Sequence, residues 1–312
     1  MNTENNVNVK ALFDYFNFER ITGDEKSLLR PINITDTNRP GLELAGFFDH
    51  SQLKRIVILG DKEIAYIKTM SVNKQRKSFD FLTQEMTPTI IISKNHDCPE
   101  ILKKIAKKKN FPVLRSSLPT YRLIVNIIGF LDEQLAPYTC LHGVLLSIYG
   151  KGVLITGESG MGKSEIALEL IKRGHLLVAD DRVDCYCIHN RITGTAPEIL
   201  AGMLEIRGIG IINVSRMFGA SAVLPKTEVN FVVSLEAWKQ EKDYDRVGIE
   251  EKQFETIMDV EIPKITLPVK EGRSMAVIIE SAVSNFSLTE LGMDSAKEFE
   301  QRVLDYISKN AN

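Results

Sequence analysis

Residues 157–164 read Gly157-Glu158-Ser159-Gly160-Met161-Gly162-Lys163-Ser164, and GESGMGKS matches G-x-x-x-x-G-K-[ST], the phosphate-binding loop of nucleoside-triphosphate enzymes. The flanks fit as well as the letters. Gly152–Thr156 is a short apolar run of the kind that forms a buried strand. After the loop, Ile166, Leu170 and Ile171 recur at helical spacing up to a capping Gly174. Strand, glycine loop and helix form the arrangement that phosphate binding needs. Glycines let backbone N–H groups close round phosphate oxygens, and the helix N-terminus adds its positive dipole end. Lys163 is expected to reach the β and γ phosphates as a point charge, and Ser164 to place its hydroxyl on Mg²⁺.

Downstream, His175–Asp181 is an apolar strand that ends in two carboxylates, the form of a Walker-B segment. Carboxylates at such a strand end sit beside the phosphate loop, and two roles are open to them: holding Mg²⁺ or accepting a proton from a nucleophile. A hairpin is expected over Asp184–Thr193. Leu204–Asn213 (LEIRGIGIIN) places Glu205 and Arg207 in an otherwise apolar, glycine-marked run. Charges there mean a paired site or a surface edge strand, with Glu205 a candidate Mg²⁺ ligand and Arg207 a candidate partner of phosphoryl charge. Asn230–Leu235 reads as a buried strand. Glu236–Lys252 is a charged loop that carries Arg246, and Leu267–Gly272 reads as a turn. Asp294–Lys309 reads as a closing helix with Phe299, Val303 and Ile307 on one face. Just upstream of the loop, Leu141–Tyr149 is expected to pair with Gly152–Thr156 through a turn at Gly150-Lys151.

The first part of the chain alternates helices and short strands, which predicts an α/β layer. Helices are expected over 8–18, Leu42–Phe48, about 77–85, Pro99–Lys109 and 120–131. Strands are expected at Arg55–Gly60, Thr89–Ser93 and Phe111–Leu114, with Asn73–Lys77 as a polar loop. The lysines at 103, 104, 107, 108 and 109 lack interleaved aromatics and read as the solvated face of one helix. His96 has no second ligand pair and reads as a loop histidine. The polar stretch Asp132–Pro137 places the break at about 131. The expected fold is therefore an N-terminal α/β domain, 1–131, and a C-terminal phosphate-loop nucleotide-binding domain, 132–312.

Composition agrees with this. The 312 residues are 44% hydrophobic and 26% charged, with a net charge of −2, so nothing global points to nucleic acid or to an acidic membrane surface. Cys98, Cys140, Cys185 and Cys187 show no zinc-like spacing and read as reduced, mostly buried thiols. The start MNTENNVNVK lacks a signal pattern, and no apolar stretch approaches the ~20 residues that span a bilayer. A soluble cytoplasmic protein is expected.

Four segments in order, HGVLLSIYGKGVLITGESGMGKSE, VADDRV, LEIRGIGIINV and LPVKEGR, make the second domain resemble HPr kinase/phosphorylase. That family phosphorylates a serine of the bacterial phosphocarrier HPr and removes the phosphate again. Arg39-Pro40-Gly41-Leu42-Glu43 extends the resemblance into the first domain. The resemblance implies that Gly157–Ser164 hold ATP or pyrophosphate, with Lys163 catalytic, and that Ser164 and Glu205 bind Mg²⁺. It makes Asp181 the proton-transfer carboxylate, His142 the active-site histidine and Arg246 the loop arginine, with Arg216 and Arg273 as rivals for that last role. It assigns Leu204–Asn213 to both activities and Leu267–Gly272 mainly to dephosphorylation. It also implies HPr, ATP, phosphate and pyrophosphate as partners and a homo-oligomer, a hexamer in the family. A phosphate-loop kinase of a small molecule and a nucleotide-controlled regulator are the rival readings. The switch is disfavoured because it needs no base.

Overall fold

The computed structural model describes residues 7–238, 253–270 and 272–310. The chain divides into two compact units, and the division falls between Ala136 and Pro137.

In the first unit, aliphatic runs buried on both faces give the parallel strands β5 (Ile56–Leu59), β6 (Ile90–Ile92) and β7 (Val113–Arg115). The short β4 (Thr37–Asn38) joins them in parallel, and β2 (Glu19–Thr22) adds an antiparallel edge in the order β2-β7-β6-β5-β4. A separate pair is formed by β1 (Val7–Asn8) and β3 (Pro31–Ile32). One sheet face carries Val57, Leu59, Ile90, Ile92 and Val113. It packs on α2 (Gly41–Ala45), α3 (Asp61–Thr69), α4 (Val72–Leu82) and α5 (Glu100–Lys108). The other carries Ile56, Ile58, Ile91 and Leu114 against α1 (Val9–Phe16) and α6 (Thr120–Gln134).

Three expectations change here. Asn73–Lys77 is no loop but the first half of α4, because the Ser71 side chain caps the Lys74 N–H and Phe79 and Leu82 anchor the helix in the core. The second helix stops at Ala45, where Gly46 takes a left-handed φ of 100°. The helix expected to end at 131 runs to Gln134. The Arg39–Glu43 motif also acquires a structural meaning. Arg39 donates to both oxygens of the nearly buried Glu63 (2.8 and 2.9 Å), and Glu43 accepts from Asn38 Nδ2 and Ser51 Oγ. The motif thus ties α2 to the start of α3. His96 pairs with Asp61 at 2.6 Å.

The second unit is built on a mixed sheet of nine strands among the described residues. These are β8 (Tyr138–His142), β9 (Val144–Ile148), β10 (Lys151–Gly157), β11 (Leu176–Ala179), β12 (Arg182–Ile188), β13 (Arg191–Thr195), β16 (Lys226–Ala237), β17 (Gln253–Ile257) and β18 (Val260–Val269). The order is β11-β9-β10-β16-β13-β12-β8, with β18 also parallel to β16 and β17 paired to β18. A separate hairpin comprises β14 (Met203–Ile206) and β15 (Gly210–Asn213). Helices α7 (Lys163–Lys172) and α9 (Met275–Glu290) cover one face, helped by the hairpin and α8 (Val214–Phe218). Chain end α10 (Ser295–Asn310) leaves Phe299, Leu304 and Ile307 exposed.

The expected long strand Leu141–Tyr149 breaks at Gly143 into β8 and β9, which take separate places in the order. A Cβ at Gly143 would lie 2.6 Å from the Ile155 carbonyl oxygen, so only glycine passes there. The β9–β10 turn is Tyr149-Gly150, not Gly150-Lys151, since Lys151 already pairs with Ile148. Leu267–Val269 continue β18 instead of turning. Cys185 is buried, but Cys140 is exposed at the β8 edge, against the expectation of mostly buried thiols. Burial pushes the Cys185 thiol up to about 12.

Gly152 and Gly129 give a matched test of this packing. A Cβ at Gly152 would meet the Glu228 carbonyl oxygen at 1.8 Å, whereas one at Gly129, on α6, would meet nothing within 4 Å. Gly152→Ala is expected to lower the free energy of unfolding by about 1–3 kcal/mol. Gly129→Ala is expected to raise it by up to about 1 kcal/mol. Urea titrations of the two variants check both signs.

Candidate active site

The site is assembled where strand ends meet α7. β10 ends at Gly157, and the loop turns through left-handed φ values of 86° at Gly160 and 79° at Gly162 before α7 begins at Lys163. The N-terminus of α7 therefore opens onto the loop, the geometry that favours an anion. Lys163 is only 8% exposed, and its ammonium donates to the carbonyls of Gly157 (2.8 Å) and Glu158 (3.0 Å). An ammonium has three donors, so one remains beyond these two. Lys163 thus both closes the loop and presents charge inside it.

Ser164 faces the Walker-B strand. Its hydroxyl donates to Asp180 Oδ1 (3.0 Å) and Oδ2 (3.3 Å), and the Glu205 N–H donates to the same Oδ2 at 3.0 Å. Asp180 is 5% exposed. Burial raises its pKa above the ordinary 3.8, against the lowering effect of the two donors. The Glu205 side chain is exposed beside this knot. The Ser164 hydroxyl, the Asp180 carboxylate and the Glu205 N–H therefore meet at one point, and the hydroxyl and carboxylate oxygens are hard donors of the kind that suits Mg²⁺.

The next residue faces elsewhere. Asp181 adopts a left-handed φ of 65°, which an aspartate tolerates better than most residues, and so turns away from its neighbour. Its carboxylate lies 3.1 Å from His142 Nδ1, and both side chains are more than half exposed. The turn is pinned through its backbone, since Gly143 N–H donates to the Asp181 carbonyl (3.1 Å) and Arg182 N–H to the Asp180 carbonyl (2.7 Å). The two carboxylates of the Asp-Asp pair, equivalent in sequence, are thus divided: Asp180 inward on the loop, Asp181 outward on a histidine.

An open cleft of about 620 Å³ adjoins the loop, lined by Gly160, Met161, Ala237, Trp238, Val269 and Lys270. Lys270 Nζ sits 4.7 Å and Arg273 Cζ 5.5 Å from the centre of the Trp238 ring. Arg207 stands over the loop, its guanidinium within 3.8 Å of where a Cβ on Gly160 would lie. The structure therefore brings Lys163, Ser164, Asp180, Asp181, His142 and the Glu205 backbone into one neighbourhood. Arg246 lies outside the described residues. Trp238 escaped the sequence reading. Its one available signal was its place at the end of the strand parallel to β10, where loop-facing residues collect.

Two family models match the chain, one in each half. Residues 7–131 match the family model for the HPr serine kinase N terminus, and residues 133–303 the model for the HPr serine kinase C-terminal domain. The HPr kinase/phosphorylase of Geobacillus thermodenitrificans (strain NG80-2) is 43% identical over 304 residues, covering 97% of this chain and 98% of the relative. That of Bacillus subtilis (strain 168) is 45% identical over 302 residues, covering 96% and 97%. A solved structure of the HPr(Ser) kinase/phosphatase from Coxiella burnetii is 38% identical and covers 52% of this chain and 98% of its own, with a TM-score of 0.47.

The buried Asp180 predicts a pH dependence. Its folded pKa is raised, so its contribution to stability is present below the ordinary 3.8 and is lost as pH rises through the folded value. Asp180→Asn removes that loss and keeps an oxygen that can accept from Ser164 and Glu205. In EDTA, the unfolding temperature of the variant is expected to gain on the wild type as pH is raised from about 3.5 to 7. A difference that stays flat across that range contradicts the assignment.

Proposed function

Since this chain belongs to the HPr kinase/phosphorylase family, we propose that it transfers the γ-phosphoryl group of ATP to a serine of HPr and returns that group to inorganic phosphate, with Asp181 moving the proton in both directions. The observation that carries this reading is the Ser164–Asp180 hydrogen bond. It joins the phosphate loop to the strand end whose next residue is a carboxylate paired with histidine.

In the forward direction the serine hydroxyl oxygen attacks the γ-phosphorus, Asp181 accepts its proton, and the bond to the β–γ bridging oxygen breaks to release ADP. His142 holds the Asp181 carboxylate at 3.1 Å and keeps it aimed. Lys163, held in the loop by two carbonyls, offers its remaining donor to the phosphates. In reverse, an oxygen of inorganic phosphate attacks the phosphoserine phosphorus. Asp181, now protonated, gives its proton to the departing serine oxygen, and pyrophosphate is released. One carboxylate serves both because the reverse step retraces the same proton path.

Ser164 and Glu205, with Asp180 between them, would hold Mg²⁺, which when bound neutralises charge on the β and γ oxygens. Pyrophosphate can replace ATP as donor by the same contacts. Arg246 would add a further cation, as the resemblance implies. The protein would act in the cytoplasm as a homo-oligomer, a hexamer by family analogy. Among the described residues no helix is long and apolar enough to cross a membrane.

The test is one incubation of the purified protein with HPr, ATP and Mg²⁺, followed by mass analysis of HPr, and then a second with inorganic phosphate in place of ATP. HPr is expected to gain one phosphoryl group on serine and then to lose it with release of pyrophosphate. Asp181→Asn is expected to slow both directions by about 10²–10⁴-fold. ATP binding without any change in HPr would move small-molecule acceptors or a switch role to the front. Normal forward rates in Asp181→Asn would remove the proton-transfer role.

A further inference from the structure

The left-handed turn that aims Asp181 is held on one side by the phosphate loop, through Asp180. On the other side it runs directly into β12, and a second polar cluster lies there that neither phosphate binding nor the proton path uses. Arg182 Nε donates to Asp184 Oδ1 at 2.8 Å, Arg182 Nη2 donates to the Tyr138 hydroxyl at 2.6 Å, and that hydroxyl donates to Asp184 Oδ1 at 2.9 Å. The Asp184 side chain is 12% exposed, so its charge needs these two partners. The Tyr138 ring packs against Tyr186 with centroids 5.2 Å apart, which fixes the hydroxyl end.

Strand register shows what the cluster holds. β8 and β12 are antiparallel, with Arg182 opposite His142, Asp184 opposite Cys140 and Tyr186 opposite Tyr138. Directly opposed residues share a sheet face, so His142 projects from the same face as the cluster. Arg182 is at once the chain neighbour of Asp181 and the cross-strand neighbour of His142. β8 is an edge strand, paired to β12 alone among the described residues, so its register at His142 depends on that one ladder and on side chains that bridge it.

We propose that Tyr138, Arg182 and Asp184 are positioning residues that lock β8 to β12 and thereby fix the mutual aim of His142 and Asp181 in both directions of transfer. The inference rests on the role given to Asp181 above. A locked cluster also keeps the Arg182 guanidinium occupied on Asp184 and Tyr138. The cation nearest in sequence to Asp181 thus acts as a brace.

The test compares wild type, Tyr138→Phe, Arg182→Met and Arg182→Lys, each assayed with HPr and ATP and, in reverse, with phospho-HPr and inorganic phosphate. Tyr138→Phe removes one hydroxyl and keeps the ring, so it stays informative even where Arg182→Met fails to fold. The expected result is a fall in kcat of about 10–100-fold, by the same factor in both directions, with KM for ATP within about twofold of wild type. Arg182→Lys, which keeps a cation for Asp184, is expected to recover much of the loss. Three outcomes overturn the proposal: both Tyr138→Phe and Arg182→Met within about threefold of wild type, a loss confined to one direction, or a loss matched by weaker ATP binding and a lower folded fraction. If wild type itself transfers nothing to HPr, the functional reading and this proposal fall together. If only the variants contradict expectation, the proposal falls alone.

Discussion

One buried carboxylate organises the second unit. Asp180 accepts from the Ser164 hydroxyl and from the Glu205 N–H, and so joins three segments remote in sequence: the first turn of α7, the end of β11 and the β14–β15 hairpin. A carboxylate excluded from water is costly unless its oxygens are satisfied, and these donors supply that. Burial still raises its pKa, so the knot holds a group whose charge is costly in that place. A positive ion at the same oxygens would relieve the cost. Under the proposed function, the structural hub is also where the cation would sit.

The division of labour between adjacent aspartates follows from backbone geometry. A residue in the left-handed region redirects its side chain relative to an extended neighbour, and Asp181 is such a residue. Asp180 points into the loop while Asp181 reaches His142 on β8. The proposed function asks for a proton carrier distinct from the groups that hold the nucleotide, and two carboxylates with separate partners would provide that separation.

In the first unit, the segment that carries the resemblance is held by its own charge pairing. Arg39 Nη2 donates to both oxygens of Glu63, and Glu43 accepts from Asn38 and Ser51. Pairing of this kind satisfies charges that helix packing would otherwise bury alone.

The sequence by itself determined the phosphate loop, its flanking strand and helix, the carboxylates that follow, the α/β character of both halves and the family. Each of these is written in local spacing: a glycine pattern, a helical repeat, an apolar run of strand length. Tertiary structure decided the rest. That Leu141–Tyr149 splits at Gly143 depends on the approach of the Ile155 carbonyl, a contact across strands that no local pattern encodes. The helical fate of Asn73–Lys77 rests on a Ser71 cap and on the burial of Phe79 and Leu82, which outweigh a polar composition. Which aspartate serves the loop and which the histidine was undecidable from Asp-Asp alone. The answer lies in one backbone torsion and in the partners that folding brings within 3.3 Å.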